Sequence, residues 1–258
     1  MPLVVARAPT RIDFGGGWTD VPPYCEEQGG CVCNLAITRH ASVSLKDSPA
    51  GVMIDEEGVT IEAPSAVGFA RDGRSELAKA ALRRGKIGPV VLGLRSNFPA
   101  GAGLGGSSAA GVALVSAIAA WRDEQPERSE LAEQSRALEV EELGVAGGRQ
   151  DHYAAAFGGA LALWFSDRTV AKRIRLSTNL ASAIERRCIV VYTGQSRLSG
   201  ENINTVLAAY RAREARVTSA LARMRVLAEE MIAALERESL DDLASLVDEH
   251  WQHQRALH

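Results

Sequence analysis

The sequence predicts an α+β protein, and three observations lead there. In the N-terminal portion, short runs rich in β-branched residues are separated by glycine and proline turns. At a glycine cluster past residue 100, a strand-like pattern gives way to small and apolar residues at helical density. From about Asn202 onward, apolar residues recur every three to four positions, one face of a long helix.

The 258 residues suffice for one large or two modest domains, each with its own core. Apolar residues make up 46% and charged residues 24%, the balance of an ordinary globular protein. A net charge of −3 and a pI near 6.0 give no basic surface for nucleic acid or anionic membrane, so any attraction for phosphate must be local. The start MPLVVARAPTR lacks the basic and apolar regions of a signal peptide. The longest apolar stretch, 109–121, contains Ser116 and is too short for a hydrocarbon core of about 30 Å. Of the four cysteines, Cys31 and Cys33 alternate within an apolar run, as in a strand, and no C-x2-C spacing suggests zinc. Cys25, Cys31, Cys33 and Cys188 are expected as buried thiols of a cytoplasmic protein.

In chain order, residues 3–7 form a strand candidate, followed by a glycine cluster at Gly15, Gly16 and Gly17. Residues 31–45 alternate and include Val32, Ile37, Thr38 and Val43. With a companion at 51–61 across a turn near Ser48-Pro49, they predict a hairpin or a mixed sheet. A short helix is expected at 76–85, a strand at 89–95, and a helix at 129–143 closed by Gly144. Strands are expected at 157–164 and 188–192. Val206, Leu207, Tyr210, Val217, Leu221, Met224, Leu227, Met231 and Leu235 give one long amphipathic helix whose arginines and glutamates form a solvated face. Ser239 with Asp242 resembles a capping box that opens a last helix through Trp251. A domain change is expected near 165–195, although no linker composition marks it.

The segment FPAGAGLGGSSAA carries the chemistry. A strand, then glycines, then a helix suits phosphate: glycine lets the backbone approach a ligand, and free N–H groups of the first helical turn point at it. The helix dipole favours a nearby anion by about 0.3–1 kcal/mol. The loop comprises Pro99, Gly101, Ala102, Gly103, Leu104, Gly105, Gly106, Ser107 and Ser108, and its two hydroxyls can donate to phosphate or ligate Mg²⁺. A Walker loop is excluded because no lysine follows the glycines. Gly101-x-Gly103-x-x-Gly106 also spells a dinucleotide fingerprint, but Pro99 and Ala100 separate strand from glycines. Moreover, no strand ending in an acidic residue follows, since Asp123-Glu124 lies at a helix end before Pro126. The bland alternative is a glycine turn that packs a helix close to a sheet.

PAGAGLGGSSAA resembles the second motif, P-x3-G-L-G-S-S-A-A, of the GHMP kinases, the superfamily of galactokinase, homoserine kinase, mevalonate kinase and phosphomevalonate kinase. APTRIDFGGGWTDVPPY resembles the N-terminal motif of members that phosphorylate the anomeric carbon of a sugar, and GGRQDHYAAAFGG the segment with the catalytic aspartate. YTGQSR at 192–197 and EHWQHQRAL near the end look like the branch of D-glycero-D-manno-heptose 7-phosphate kinases and L-fucokinases.

The resemblance implies the GHMP fold: an N-terminal domain like ribosomal protein S5 domain 2 over 1–175, then a truncated ferredoxin-like domain over 176–258. It implies transfer of the γ-phosphate of ATP, with Mg²⁺, to an anomeric hydroxyl. The partners would be ATP and a sugar or sugar phosphate, with no nucleic acid or membrane. Heptose 7-phosphate is the first expectation and fucose the next, because GGWTD-PPYC is closer to the fucokinase form. Asp151 aligns with the proton-accepting aspartate and Arg11 with the basic residue that stands beside it in the family. Ser107 and Glu139 align with the magnesium ligands, Ser108 replacing Ser107 if the loop shifts by one, since Gly106 stands where the family has its first serine. Gly17, Trp18, Thr19, Asp20, Gly194 and Arg197 align with substrate positions.

Taken singly, each has a plainer reading. A loop aspartate is usually a turn or cap residue. Glu139, beside Glu141 and Glu142, would be solvated surface. Arg11 with Asp13 would be an exposed pair worth under about 1 kcal/mol. Trp18 could stack on a sugar or pack in the core. His152, His250 and His253 show no ligand spacing. The joint order of the motifs is what gives these residues functional roles. The family's third glycine-rich motif, near the C-terminus, is not found. An incomplete second domain is therefore expected, with uncovered apolar surface on the 202–237 helix favouring self-association. A catalytically silent sugar- or nucleotide-binding homologue is the alternative.

Overall fold

The computed structural model describes residues 3–195 and 199–257. Its strands are β1 (Val4–Gly15), β2 (Gly30–Asp47), β3 (Val52–Glu56), β4 (Val59–Ala63), β5 (Val90–Ser96), β6 (Ala160–Phe165) and β7 (Thr169–Ile174). Its helices are α1 (Tyr24–Gln28), α2 (Glu76–Gly85), α3 (Gly106–Trp121), α4 (Arg128–Ala137), α5 (Gln150–Phe157), α6 (Thr178–Arg187), α7 (Ser199–Arg211), α8 (Ala215–Glu236) and α9 (Leu240–Arg255). A π-helical turn, Leu138–Glu142, follows α4 directly. The chain divides into two compact units that interleave in sequence. One takes the residues up to Thr10, Ile37–Ala146 and Asp151–Ala156; the other takes Arg11–Ala36, Gly147–Gln150 and the chain from Phe157 onward.

In the first unit the strand order is β4-β3-β5-β2, and the ladder is mixed: β3 runs parallel to β5, while the other pairs are antiparallel. The run at 51–61 is therefore two strands. Glu57 and Gly58 both take positive φ (50° and 87°), the turn that a two-residue hairpin demands. Val43, Leu45, Ile54, Leu92 and Leu94 pack with Leu82 of α2 and Leu114 and Ile118 of α3. Helix α3 is apolar almost all round because it is buried almost all round, Ala109 to Val115 without a break. Each large apolar side chain in this layer contributes about 1.5–3 kcal/mol by leaving water.

In the second unit the N-terminal half of β2 pairs with β6 (Cys31↔Trp164, Cys33↔Ala162), and β6 pairs with β7. Cys31, Cys33, Ala160 and Ala162 pack against Leu227, Met231 and Leu235 of α8, Leu180 and Ile184 of α6, and Leu243 of α9. A further cluster gathers Tyr24, Val206, Tyr210, Val217, Leu221 and Met224.

Several expectations are corrected. The long C-terminal helix is two, α7 and α8. Arg213 takes a left-handed φ of 58°, its guanidinium 5.4 Å over the Tyr210 ring and 3.1 Å from Glu27 Oε2. Among the described residues the apolar face of α7 and α8 is buried within the unit, so the uncovered surface expected there is not seen in that part. Residues 188–192 form no strand, and Ile189 and Val191 are 84% and 76% exposed. β-branched residues make a strand only where a ladder partner exists, and β6 pairs instead with β7 and β2. Cys188 is exposed, unlike the other three thiols. The helix at 129–143 ends at Ala137 and continues as the π turn. Ser239 occupies the N-cap of α9 without a side-chain bond, whereas Ser177, unnoticed in the sequence, caps α6 by accepting from Leu180 N at 3.1 Å.

Candidate active site

In the first unit, the loop after β5 ends at Gly105, whose φ of 70° and ψ of 33° make it a left-handed N-cap for α3. The first bond of the helix runs from Ala109 N to Gly105 O at 3.0 Å, leaving the earlier amides of the turn to point outward. Gly106 lies against the ring of Phe98. Ser107 is exposed and Ser108 buried. Asp151 sits in the first turn of α5, and its side chain reaches Gly105: a Cβ built there would lie 3.1 Å from the Asp151 carboxyl carbon. The expected phosphate loop and the expected base are therefore in contact.

Glu139 stands on the π turn, held by a bond from Val145 N to its own carbonyl at 2.9 Å. One carboxylate oxygen, Oε2, lies 3.3 Å from His152 Nε2; the other, Oε1, is buried with no hydrogen-bond partner. Burial opposes its ionisation, but His152 and the hydroxyls of Ser107 and Ser108 outweigh that and hold its pKa below the ordinary glutamate value. His152 is buried, its Nδ1 2.9 Å from Ser135 Oγ and its Nε2 3.4 Å from Ser108 Oγ. Ser135 in turn donates to the Ser108 carbonyl at 3.3 Å.

An ionised buried carboxylate oxygen without a partner fits a hard cation, with Ser107 and Ser108 beside it. Among the described residues no group of three or more His, Cys, Asp or Glu could hold a metal alone. A Mg²⁺ here would complete its shell with phosphate and water, as that ion usually does.

In the second unit, Arg11 lies half-buried on β1. The Gly15–Asp20 loop is tied down at several points. Gly16 N donates to His250 Nε2 at 2.9 Å, and Thr19 N donates to Gly16 O at 3.1 Å. The Thr19 hydroxyl bonds the carbonyls of Gly16 (2.7 Å) and Cys31 (3.0 Å) and accepts from Cys31 N (3.1 Å). Asp20, 1% exposed, accepts through Oδ2 from the amides of Arg149 (2.9 Å) and Gln150 (3.0 Å), the turn that leads into Asp151. Gly148 must be glycine because a Cβ there would collide with that carboxylate. Trp18 packs partly buried against the Tyr24–Tyr210 cluster, which favours the core reading over a stacking face. Gly17 lies beside Asp13 and Gln150; Gly194 is exposed at φ 79°, and Arg197 lies outside the described residues.

The sequence reading set His152 and His250 aside for want of ligand spacing and did not single out Ser135. The available sign was a polar residue on an otherwise apolar helical face: His250 follows Leu243 and Val247 on α9 at helical spacing. Burial moves His250 down to about 4 with help from nearby His253, so it stays neutral and can accept from Gly16.

A strand, a left-handed glycine cap and a helix start beside a carboxylate make a site whose free amides could receive an anion. Residues 74–159 match the family described as GHMP kinases N terminal domain, so this part of the chain is a domain of that kind. The chain is 30% identical over 208 residues to the D-glycero-alpha-D-manno-heptose 7-phosphate kinase of Campylobacter jejuni, covering 76% of this chain and 61% of that protein. It is 27% identical over 271 residues to the bifunctional fucokinase/GDP-fucose pyrophosphorylase of Arabidopsis thaliana, covering 95% of this chain and 25% of that protein. The chain thus spans less than two thirds of either relative. A D-glycero-D-manno-heptose 1-phosphate kinase structure from Bacteriodes thetaiotaomicron shares the fold, with a TM-score of 0.81 at 23% identity over 98% of this chain and 79% of that one. No helix among the described residues is long and apolar enough to cross a membrane.

Proposed function

We propose that this protein is an ATP-dependent sugar kinase that moves the γ-phosphate to an anomeric hydroxyl, with D-glycero-D-manno-heptose 7-phosphate as its substrate. The observation that carries the reading is the contact between the Asp151 side chain and Gly105, which suits a proton acceptor beside a phosphate loop. The outward amides at the start of α3 and the Ser107 hydroxyl bind the phosphates of ATP, with the backbone of residues 99–105 wrapping them. Asp151 accepts the proton of the attacking hydroxyl, and Arg11 supplies a guanidinium against the negative charge that develops. Glu139 and Ser107 hold Mg²⁺, which, when bound, neutralises charge on the transferring phosphoryl group. The buried thiols Cys25, Cys31 and Cys33, all free, suit a cytoplasmic setting.

Fucose is the second reading, favoured by the fucokinase likeness over 95% of this chain. An ADP-release screen over heptose 7-phosphate, fucose, galactose and mevalonate separates these. Asp151→Asn should lower turnover at least about 100-fold and leave ATP affinity largely intact. Turnover retained by that variant would remove Asp151 from its role. ATP binding by the wild type without ADP release from any of the four would favour a silent binding protein.

A further inference from the structure

We propose that His152 is the positioning residue for the cation carboxylate: a buried imidazole that fixes one oxygen of Glu139 so that the other stays turned to the metal of a bound nucleotide. This rests on the reading of Glu139 as the Mg²⁺ carboxylate.

The Ser107 and Ser108 hydroxyls lie beside the Glu139 carboxylate, but both are short side chains of the loop and helix start that would face the nucleotide. Glu139 stands on a π turn, a backbone arrangement uncommon outside functional sites, and its side chain is long enough to take several rotamers. His152 removes that freedom. Its Nε2 sits 3.3 Å from Glu139 Oε2, while its Nδ1 sits 2.9 Å from Ser135 Oγ. A ring engaged at both edges cannot turn without losing one contact. Ser135 is itself fixed by donating to the Ser108 carbonyl, and it fills the space that Gly111 leaves on α3. A single imidazole, 3% exposed, thus ties together α4, the π turn, α5 and the first turn of α3. Glu139 Oε1 is left buried and without a hydrogen-bond partner. That is the arrangement of an outer-shell partner that orients a metal ligand from behind.

A satisfied core histidine would show the same distances, so the test must read the metal and not only the fold. ATP binding is measured by calorimetry across a Mg²⁺ series and in EDTA, on the whole chain, for the wild type, His152→Leu, His152→Gln and Ser135→Ala. His152→Leu should raise the Mg²⁺ needed for half-maximal ATP affinity about 10- to 100-fold, with affinity in EDTA within about twofold. His152→Gln, whose amide can still reach Glu139, should recover most of that loss. Ser135→Ala should shift the requirement the same way by about threefold. A wild-type Mg²⁺ requirement in the Leu and Gln variants, whatever their melting temperatures, would reduce His152 to packing. If the Leu variant does not fold, an unchanged requirement in Ser135→Ala and His152→Gln overturns the proposal equally. A wild type whose ATP affinity ignores Mg²⁺ would instead sink the role of Glu139, a result seen before any variant is made.

Discussion

The glycines at 15–17 and those at 101–106 each follow a strand and look alike in the sequence. In the second unit, a Cβ on Gly16 would run into the Cys31 carbonyl and crowd the Ala228 methyl, and one on Gly15 would press on Met231 and the His250 ring. In the first unit, a Cβ on Gly103 meets nothing within 4 Å, although its backbone holds φ at 74°. The first cluster is glycine because protein already fills the space. In the second cluster Gly105 and Gly106 are also hemmed in, by Asp151 and Phe98, and it is Gly103 whose backbone turns left-handed beside open space. Gly16 and Gly103 are therefore told apart by what surrounds the missing side chain, not by glycine density.

The largest effect that would break this contrast is expected at Gly16. Gly16→Ala combines a φ of 92° with a collision against backbone, so the neighbouring strand must move. A loss of about 4 kcal/mol in urea unfolding is expected, at the severe end for a single substitution. A loss under about 1 kcal/mol would mean that the loop yields easily, and the contrast would fail.

The pH response of the same loop is the next largest. His250 accepts from Gly16 N through Nε2 and can do so only unprotonated there. Its folded pKa of about 4 lies below the ordinary histidine value of 6.5. Between those two values the unfolded chain takes up a proton that the folded chain refuses. Stability is then complete above pH 6.5 and falls as pH drops toward 4, by about 3 kcal/mol in all. His250→Gln keeps an acceptor and removes the titration, so its unfolding free energy should lose that slope. An equal slope in wild type and variant would place the titrating group elsewhere.

The two loops were also unequally legible. The junction at Gly106 could be read because strand, glycines and helix change pattern within a few residues, and α2 was expected at the bounds it has, Glu76–Gly85. The break at Arg213 could not, because it depends on a cation resting on Tyr210 and paired with Glu27, far away in sequence. Residues 188–192 misled for the converse reason: strand propensity is local, whereas a ladder partner is not. At the candidate site, Asp151, Glu139 and the serine pair were singled out by motif order, while His152 was set aside because its contacts with Ser135, Ser108 and Glu139 lie on three other segments. Asp20 was legible as a residue but not in its surroundings. No pattern shows that its carboxylate is spent on the amides of Arg149 and Gln150.

The smallest expected change in stability sharpens the contrast from the open side. Gly103→Ala meets no atoms, so its cost is the left-handed backbone alone, about 1–2 kcal/mol for a residue with a Cβ. Were the loop only a turn, ATP affinity would follow stability and barely change in a folded sample. As a ligand loop it has a second vulnerability: the new methyl enters the space through which phosphate approaches the backbone. ATP affinity measured by calorimetry should then fall at least about tenfold, a shift of about 1.4 kcal/mol in binding that a fully folded protein cannot owe to its unfolding equilibrium. Unchanged affinity in a folded Gly103→Ala protein would make the open space beside that glycine mere surface and return the loop to the class of its buried counterpart.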